Sequence, residues 1–174
     1  MLQAVDNRSA PPGSPDSAQR AQWMALLARV PVDLLASALA ADEGRDMRML
    51  RAPETGLVMV QGRAGGTGQK FNVGEVTVTR CTLRLNPEAG GTPLVGVGYV
   101  MGRSHRQARL AALADALLQD PVRHADLQRT LLEPGEHWLA ERRARRHAAA
   151  QSSRVEFFTV AREAGAMSDE EDAQ

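Results

Sequence analysis

Between Leu94 and Met101 the chain alternates two kinds of residue. Gly96 and Gly98, with Gly102 just beyond, fall on one side, and Val95, Val97, Tyr99 and Met101 fall on the other. Side chains of a strand point to alternate faces, and glycine weakens a strand unless something must come close. The spacing therefore predicts a strand with one bare face pressed against a neighbour, either a helix of this chain or another subunit. The next segment suits the first option. Ser104 is placed to cap a helix with Gln107 at the capping-box position, and Leu110, Leu113 and Leu117 form a stripe beside Ala108, Ala111, Ala112 and Ala114. Such small residues permit close packing onto a sheet.

The rest of the chain arranges itself around that seam. Trp23, Leu26 and Leu27 recur at helical spacing, which predicts a first helix over Ser17–Arg29. Pro31 fits the first turn of a second helix, with Leu34, Leu35, Ala38 and Leu39 on its apolar side and Gly44 at its end. From Asp46 the period falls towards two, giving a short strand around Met47 and Met49 and another over Gly56–Val60. A third strand is expected over Val73–Leu85, with Val76 and Val78 facing one way and Cys81, Leu83 and Leu85 the other. That phase change implies a bulge near Thr79–Arg80, or a strand covered on different faces along its length. A hairpin loop over Asn86–Pro93 leads to the fourth strand. Asp120-Pro121 ends the alanine-rich helix; a short helix to about Leu132 and a long one from Pro134 follow. The expected class is α+β: an antiparallel four-stranded sheet with an N-terminal helical hairpin and C-terminal helices. Composition divides the chain into a Pro-rich leader over 1–16, a single domain over 17–165 and an acidic tail over 166–174.

Composition also narrows the function. Of 174 residues 43% are hydrophobic but only 3% aromatic, so the core is thin and leaves burial for a partner to finish. Lys and Arg total 21, as do Asp and Glu, so no net charge draws the chain to nucleic acid or a membrane. Lys70 is the only lysine. A GC-rich genome would produce that bias, and so would a need for guanidinium forks at phosphates and interfaces. The lone cysteine, Cys81, excludes an internal disulfide, and its β-rich neighbours suggest a buried, inert thiol. With no membrane-spanning apolar run and no secretory signal pattern, the chain reads as cytoplasmic.

Little in the sequence carries chemistry. Arg63, Ala64, Gly65, Gly66, Thr67, Gly68, Gln69 and Lys70 form a glycine loop whose N–H groups could turn onto an anion, with Arg63 and Lys70 adding charge. It is neither a Walker loop nor a dinucleotide fingerprint, and a flexible hairpin turn explains it as well. His105, His124, His137 and His147 lack metal-ligand spacing. His105 beside Arg103 could meet a phosphate at a helix N-terminus or be an ordinary solvated side chain. Glu54 and Glu75 flank a strand-rich region without a readable distance between them. Ser104 and Thr67 have no recognisable base. The run Arg142, Arg143, Arg145, Arg146 lacks the interleaved aromatics of a single-strand RNA platform.

Several stretches taken together resemble the G subunit of the carbon–phosphorus lyase core complex, the PhnG family. They are Arg51-Ala52-Pro53-Glu54-Thr55-Gly56-Leu57-Val58, Gln61 to Gly68 with Phe71, Gly74 to Arg80, and Gly98-Tyr99-Val100-Met101-Gly102-Arg103. Gln22-Trp23-Met24 and Ser153-Arg154-Val155-Glu156-Phe157-Phe158-Thr159 fit as well. The resemblance spans about 20–162 and is specific only in combination. It implies a subunit of a complex with the I, H and J subunits, each present twice with two G, and with the L subunit as a functional partner. That complex makes α-D-ribose 1-methylphosphonate 5-triphosphate, methylphosphonate displacing adenine from the ribose of MgATP. The resemblance places this chemistry on the I subunit and carries no catalytic residue over to G. It implies no cofactor of the chain's own, MgATP being a substrate of the complex.

Three readings result. The first is an assembly subunit, with Gly96, Gly98, Arg103, Phe157 and Phe158 as candidate partner surface. The second is a direct share in the ATP or phosphonate site through Arg63, Gly65, Gly66, Thr67, Gly68 and Lys70. The third is an RNA-binding module, which the charge balance disfavours.

Overall fold

A computed structural model describes residues 17–86 and 91–152. The leader over 1–16, the acidic tail and the pair Phe157 and Phe158 lie outside the described residues. Helices α1 (Ser17–Leu27) and α2 (Val32–Ala38) form the expected hairpin. Strands β1 (Met47–Arg63), β2 (Lys70–Leu85) and β3 (Leu94–Met101) follow, then α3 (His105–Leu117), α4 (Pro121–Leu127) and α5 (Glu133–Ser152). The sheet is antiparallel, in the order β1-β2-β3.

Among the described residues the sheet has three strands, not four. The segments expected as separate strands around Met47 and over Gly56–Val60 are one 17-residue strand. Pro53 lies inside that strand, although proline has no N–H to give a ladder. The chain absorbs it in register shifts between Met49 and Arg51 and between Arg51 and Glu54. Each adds a residue on β1, and among the described residues β1 is an edge strand with one side unpaired. The phase change in β2 has the second of its two possible causes. Pairing with β3 runs unbroken from Val78 to Leu85; Thr79, Cys81, Leu83 and Leu85 are buried on the helix side, while Val76 and Val78 lie on the other face.

Helix α3 is the centre of the molecule. All residues from Leu110 to Leu118 are buried, as expected of a helix apolar all round. One side lies on the sheet; the other meets α1 and α2. The glycine seam explains how closely it lies. A Cβ on Gly96 would sit 1.9 Å from the Ala112 carbonyl oxygen, and one on Gly98 would sit 2.2 Å from that of Ala108. The neighbour of the bare strand face is therefore a helix of this chain.

At the far end, α4 and α5 form one helical run with no break at Pro134. A π turn over Gln128–Leu132 joins them, with the Glu133 N–H donating to the Gln128 carbonyl. Widening the turn just ahead of a proline accommodates its ring and missing N–H without ending the helix. Gly135 then lets α5 pass close to the end of α1, since a Cβ there would meet Leu26 Cδ2 at 3.2 Å and Val30 Cγ1, just past the helix, at 2.9 Å.

Cys81 is fully buried. Burial pushes its thiol above the ordinary cysteine value, against the pull of the Arg109 guanidinium. A thiolate is the reactive form, so the folded chain should not react with a disulfide reagent such as DTNB at neutral pH. The same reagent should label it fully in guanidinium chloride. Rapid labelling of the native protein would contradict this burial.

Candidate functional site

β3 pairs with β2 only from Leu85 to Val78. Beyond that point β1 from Leu57 to Arg63 and β2 from Lys70 to Thr77 continue as a two-stranded arm. Such a ribbon reaches roughly 23 Å. A register shift between Val60 and Gln61 adds a twist near the tip.

The glycine loop closes this tip. Arg63 and Lys70 are cross-strand partners at its base, and Ala64–Gly66 makes a single 3-10 turn. Gly65 and Gly66 take φ of 58° and 80°, the left-handed region that side chains disfavour. The Gly68 N–H donates to the Ala64 carbonyl at 2.9 Å, and Arg63 Nη1 donates to the Gly68 carbonyl at 3.0 Å. Arg63 thus clamps the loop's own backbone, while Thr67 and Lys70 stand exposed. The loop residues come together as one unit, far from the helical core.

Arg103 and His105 mark a second cluster, at the start of α3. Ser104 Oγ accepts the Gln107 N–H at 3.2 Å, as the capping motif predicts. The Gln107 side chain does not return to the cap; it donates to the Val30 carbonyl at 3.0 Å, tying α3 to the α1–α2 turn. Thr79 Oγ1 donates to the Gly102 carbonyl at 2.7 Å. Thr55 Oγ1 lies 3.0 Å from Thr79 Oγ1 and 3.1 Å from His105 Nε2. This chain of hydroxyls fixes the arm's root to the helix start. On the opposite sheet face Glu54 accepts from Arg80 at 2.6 Å and Arg51 at 2.8 Å. The Arg80 hydrogen bond holds the Glu54 carboxyl below the usual carboxylate range. Glu75, opposite Met59 on β1, faces the other side of the sheet, so Glu54 and Glu75 are no acid–base pair.

The histidines are dispersed. His124 pairs with the Leu118 carbonyl at 2.8 Å, with its ring edge-on to Trp23. His137 sits 3.6 Å from Glu141, and His147 lies 3.4 Å from Gln151. Among the described residues no group of His, Cys, Asp or Glu is arranged to hold a metal. A groove of about 610 Å³ runs between α1 and the α4–α5 run, with Gln22, Arg29, His124, Glu136 and Arg143 on its walls. Arg142 stacks 5.1 Å from the Trp138 ring, and the other arginines of the run are exposed along α5.

Gly96 and Gly98 are buried beneath α3 and present no outer surface. Arg103 is exposed beside them in sequence.

One functional carboxylate escaped sequence reasoning. Asp115 is fully buried in α3. It accepts from Arg20 at 2.7 and 3.1 Å, from Trp23 Nε1 at 2.8 Å and from the Val97 N–H at 2.9 Å. Its role is to lock α1, α3 and β3 together. An acid inside an alanine stripe, with a buried tryptophan needing an acceptor, was the available signal.

The described residues thus form a small α+β domain with a glycine-sealed helix–sheet seam and an arm bare on both faces. The chain belongs to the family of the phosphonate metabolism protein PhnG, which matches residues 18–163. It is 41% identical over 146 residues to the Rhizobium meliloti (strain 1021) protein named alpha-D-ribose 1-methylphosphonate 5-triphosphate synthase subunit PhnG. That alignment covers 83% of this chain and 90% of the relative. No helix among the described residues is long and apolar enough to cross a membrane.

Proposed function

We propose that this chain is an accessory, assembly subunit of a cytoplasmic enzyme complex that makes α-D-ribose 1-methylphosphonate 5-triphosphate in the breakdown of organic phosphonates. The complex acts as a transferase, moving the ribose triphosphate of MgATP from adenine to methylphosphonate. This chain works beside the I and H subunits, with the J subunit in the same assembly and L as functional partner. Alone it is not catalytic and brings no cofactor; MgATP enters as substrate of the complex. The observation that carries this reading is the 41% identity to a named synthase subunit over nearly the whole of both chains.

The test is co-expression of the I subunit with and without this chain, following adenine release. With the chain present, adenine should leave with transfer to phosphonate; without it, water should take the ribose. Failure of the two to co-purify would refute the assembly role.

A second reading has one observation in its favour: the Arg63–Lys70 loop stands at the tip of an arm long enough to enter a partner's cavity. If it borders the ATP or phosphonate site, Arg63→Ala should lower turnover of the assembled complex about tenfold or more. An Arg63→Ala complex that assembles and turns over normally removes the loop from the chemistry.

A further inference from the structure

We propose that the uncovered face of the sheet, from β3 out along the arm, docks a protein partner whose apolar strip is flanked by carboxylates. This rests on the reading of the chain as a complex subunit and assigns the surface by which it joins.

Cross-strand partners share a face, so the pairing register sorts every side chain. Thr79, Cys81, Leu83 and Leu85 turn to α3; their neighbours Val78, Arg80, Thr82 and Arg84 turn the other way, with Met101, Tyr99, Val97 and Val95 opposite them. No described element covers that second face. Tyr99 is 50% exposed and Met101 74%. The same face continues onto the arm through Val58 and Val60, and after the shift near Val60 through Val73 and Phe71, the last two 62% and 50% exposed. A bare two-stranded ribbon is marginal in water, and a continuous apolar band of this kind marks an interaction surface.

Charge tells which partner fits. At the body end of this face Arg48 lies directly opposite Arg84. Neither has a carboxylate partner among the described residues. Arg51 and Arg80 share Glu54. Four guanidiniums with one carboxylate form a cationic border to the apolar band, and like charges opposite each other destabilise the free sheet. Carboxylates on a partner would relieve that repulsion. A second copy of this chain would bring arginines to arginines.

The backbone gives the third argument. β3 stops at Met101 and the Gly102 N–H makes the last bond, to the Thr77 carbonyl. From Glu75 towards the tip that edge of β2 is unpaired among the described residues. A peptide backbone can complete such an edge, which favours a protein over a small anion.

The test uses the full chain, tagged and co-expressed with the I, H and J subunits. Two double variants probe the face: Val73→Asp with Met101→Asp, and Arg48→Glu with Arg84→Glu. Val122→Asp, at an 81% exposed position on α4, is the control. Each variant is first checked for unchanged thermal unfolding. Wild type and Val122→Asp should retain the other subunits, and both double variants should lose them about tenfold or more. Retention of partners by both double variants overturns the docking surface and leaves the subunit reading intact. Absence of partners from wild type refutes the subunit reading, and the proposal with it. A chain that forms dimers alone, dissolved by the Asp pair, makes the occupant a second copy and overturns the choice of partner.

Discussion

Gly98→Val should leave no folded protein. The added Cβ would stand 2.2 Å from the Ala108 carbonyl oxygen and 2.9 Å from the Ala112 nitrogen, both backbone atoms that no rotamer change can move. Relief requires α3 to lift from β3, exposing the alanines that line it. Overpacking a core by side chains costs about 1–3 kcal/mol; forcing two backbones apart exceeds that and approaches the roughly 5–15 kcal/mol that holds a domain together. Gly98→Ala carries the same Cβ and should itself lose more than about 3 kcal/mol, valine's two further methyls adding to the clash, whereas Val97→Ala, on the open face, should lose under about 1 kcal/mol. Soluble yield and urea unfolding followed by circular dichroism measure all three. If Gly98→Ala unfolds at the wild-type urea midpoint, the seam is not as tight as its geometry states.

Asp115→Ala comes second in expected effect. Its carboxylate is fully buried, whereas its main cationic partner Arg20 keeps a third of its side chain exposed. Removing the acid would let the guanidinium turn to water. It would leave the Trp23 indole N–H and the Val97 amide without their acceptor. Breaking a buried pair costs about 3–5 kcal/mol; Arg20's access to solvent sets the expectation near the lower end, about 3 kcal/mol. Asp115→Asn should lose less, since one oxygen remains to accept. Urea unfolding decides, and a loss below about 1 kcal/mol would refute the lock. Arg20→Ala should fall between Asp115→Ala and wild type.

The glycine alternation in β3 was legible because it has a single geometric cause, close backbone approach. Ser104 as a helix cap was legible for the same reason. What lay hidden depended on partners remote in the chain. The two strands expected around Met47 and over Gly56–Val60 are one because bulges against β2 carry the chain through Pro53, and those bulges are invisible in its own neighbours. Pro134 reads as a helix start because a π turn leaves no mark in composition. Asp115 finds its donors 18, 92 and 95 residues away. At the candidate sites the sequence located the Arg63–Lys70 loop but not its place at the end of an arm. It also looked for a partner on the face of β3 that holds Gly96 and Gly98. The face that remains open is the other one, with Tyr99 and Met101.

The central place of α3 has a consequence for how the chain is made. Synthesis runs from the N-terminus, so α1 leaves the ribosome long before the Asp115 that Arg20 needs, 95 positions later. Until α3 follows, the sheet has two bare faces, and α1 and α2 lack the helix they pack against. Contacts so distant in sequence slow folding, and the nascent chain carries open strand edges in the meantime. Folding of this chain should therefore wait for α3. A fragment released at residue 104 should remain a chaperone client, however well its hairpin pairs.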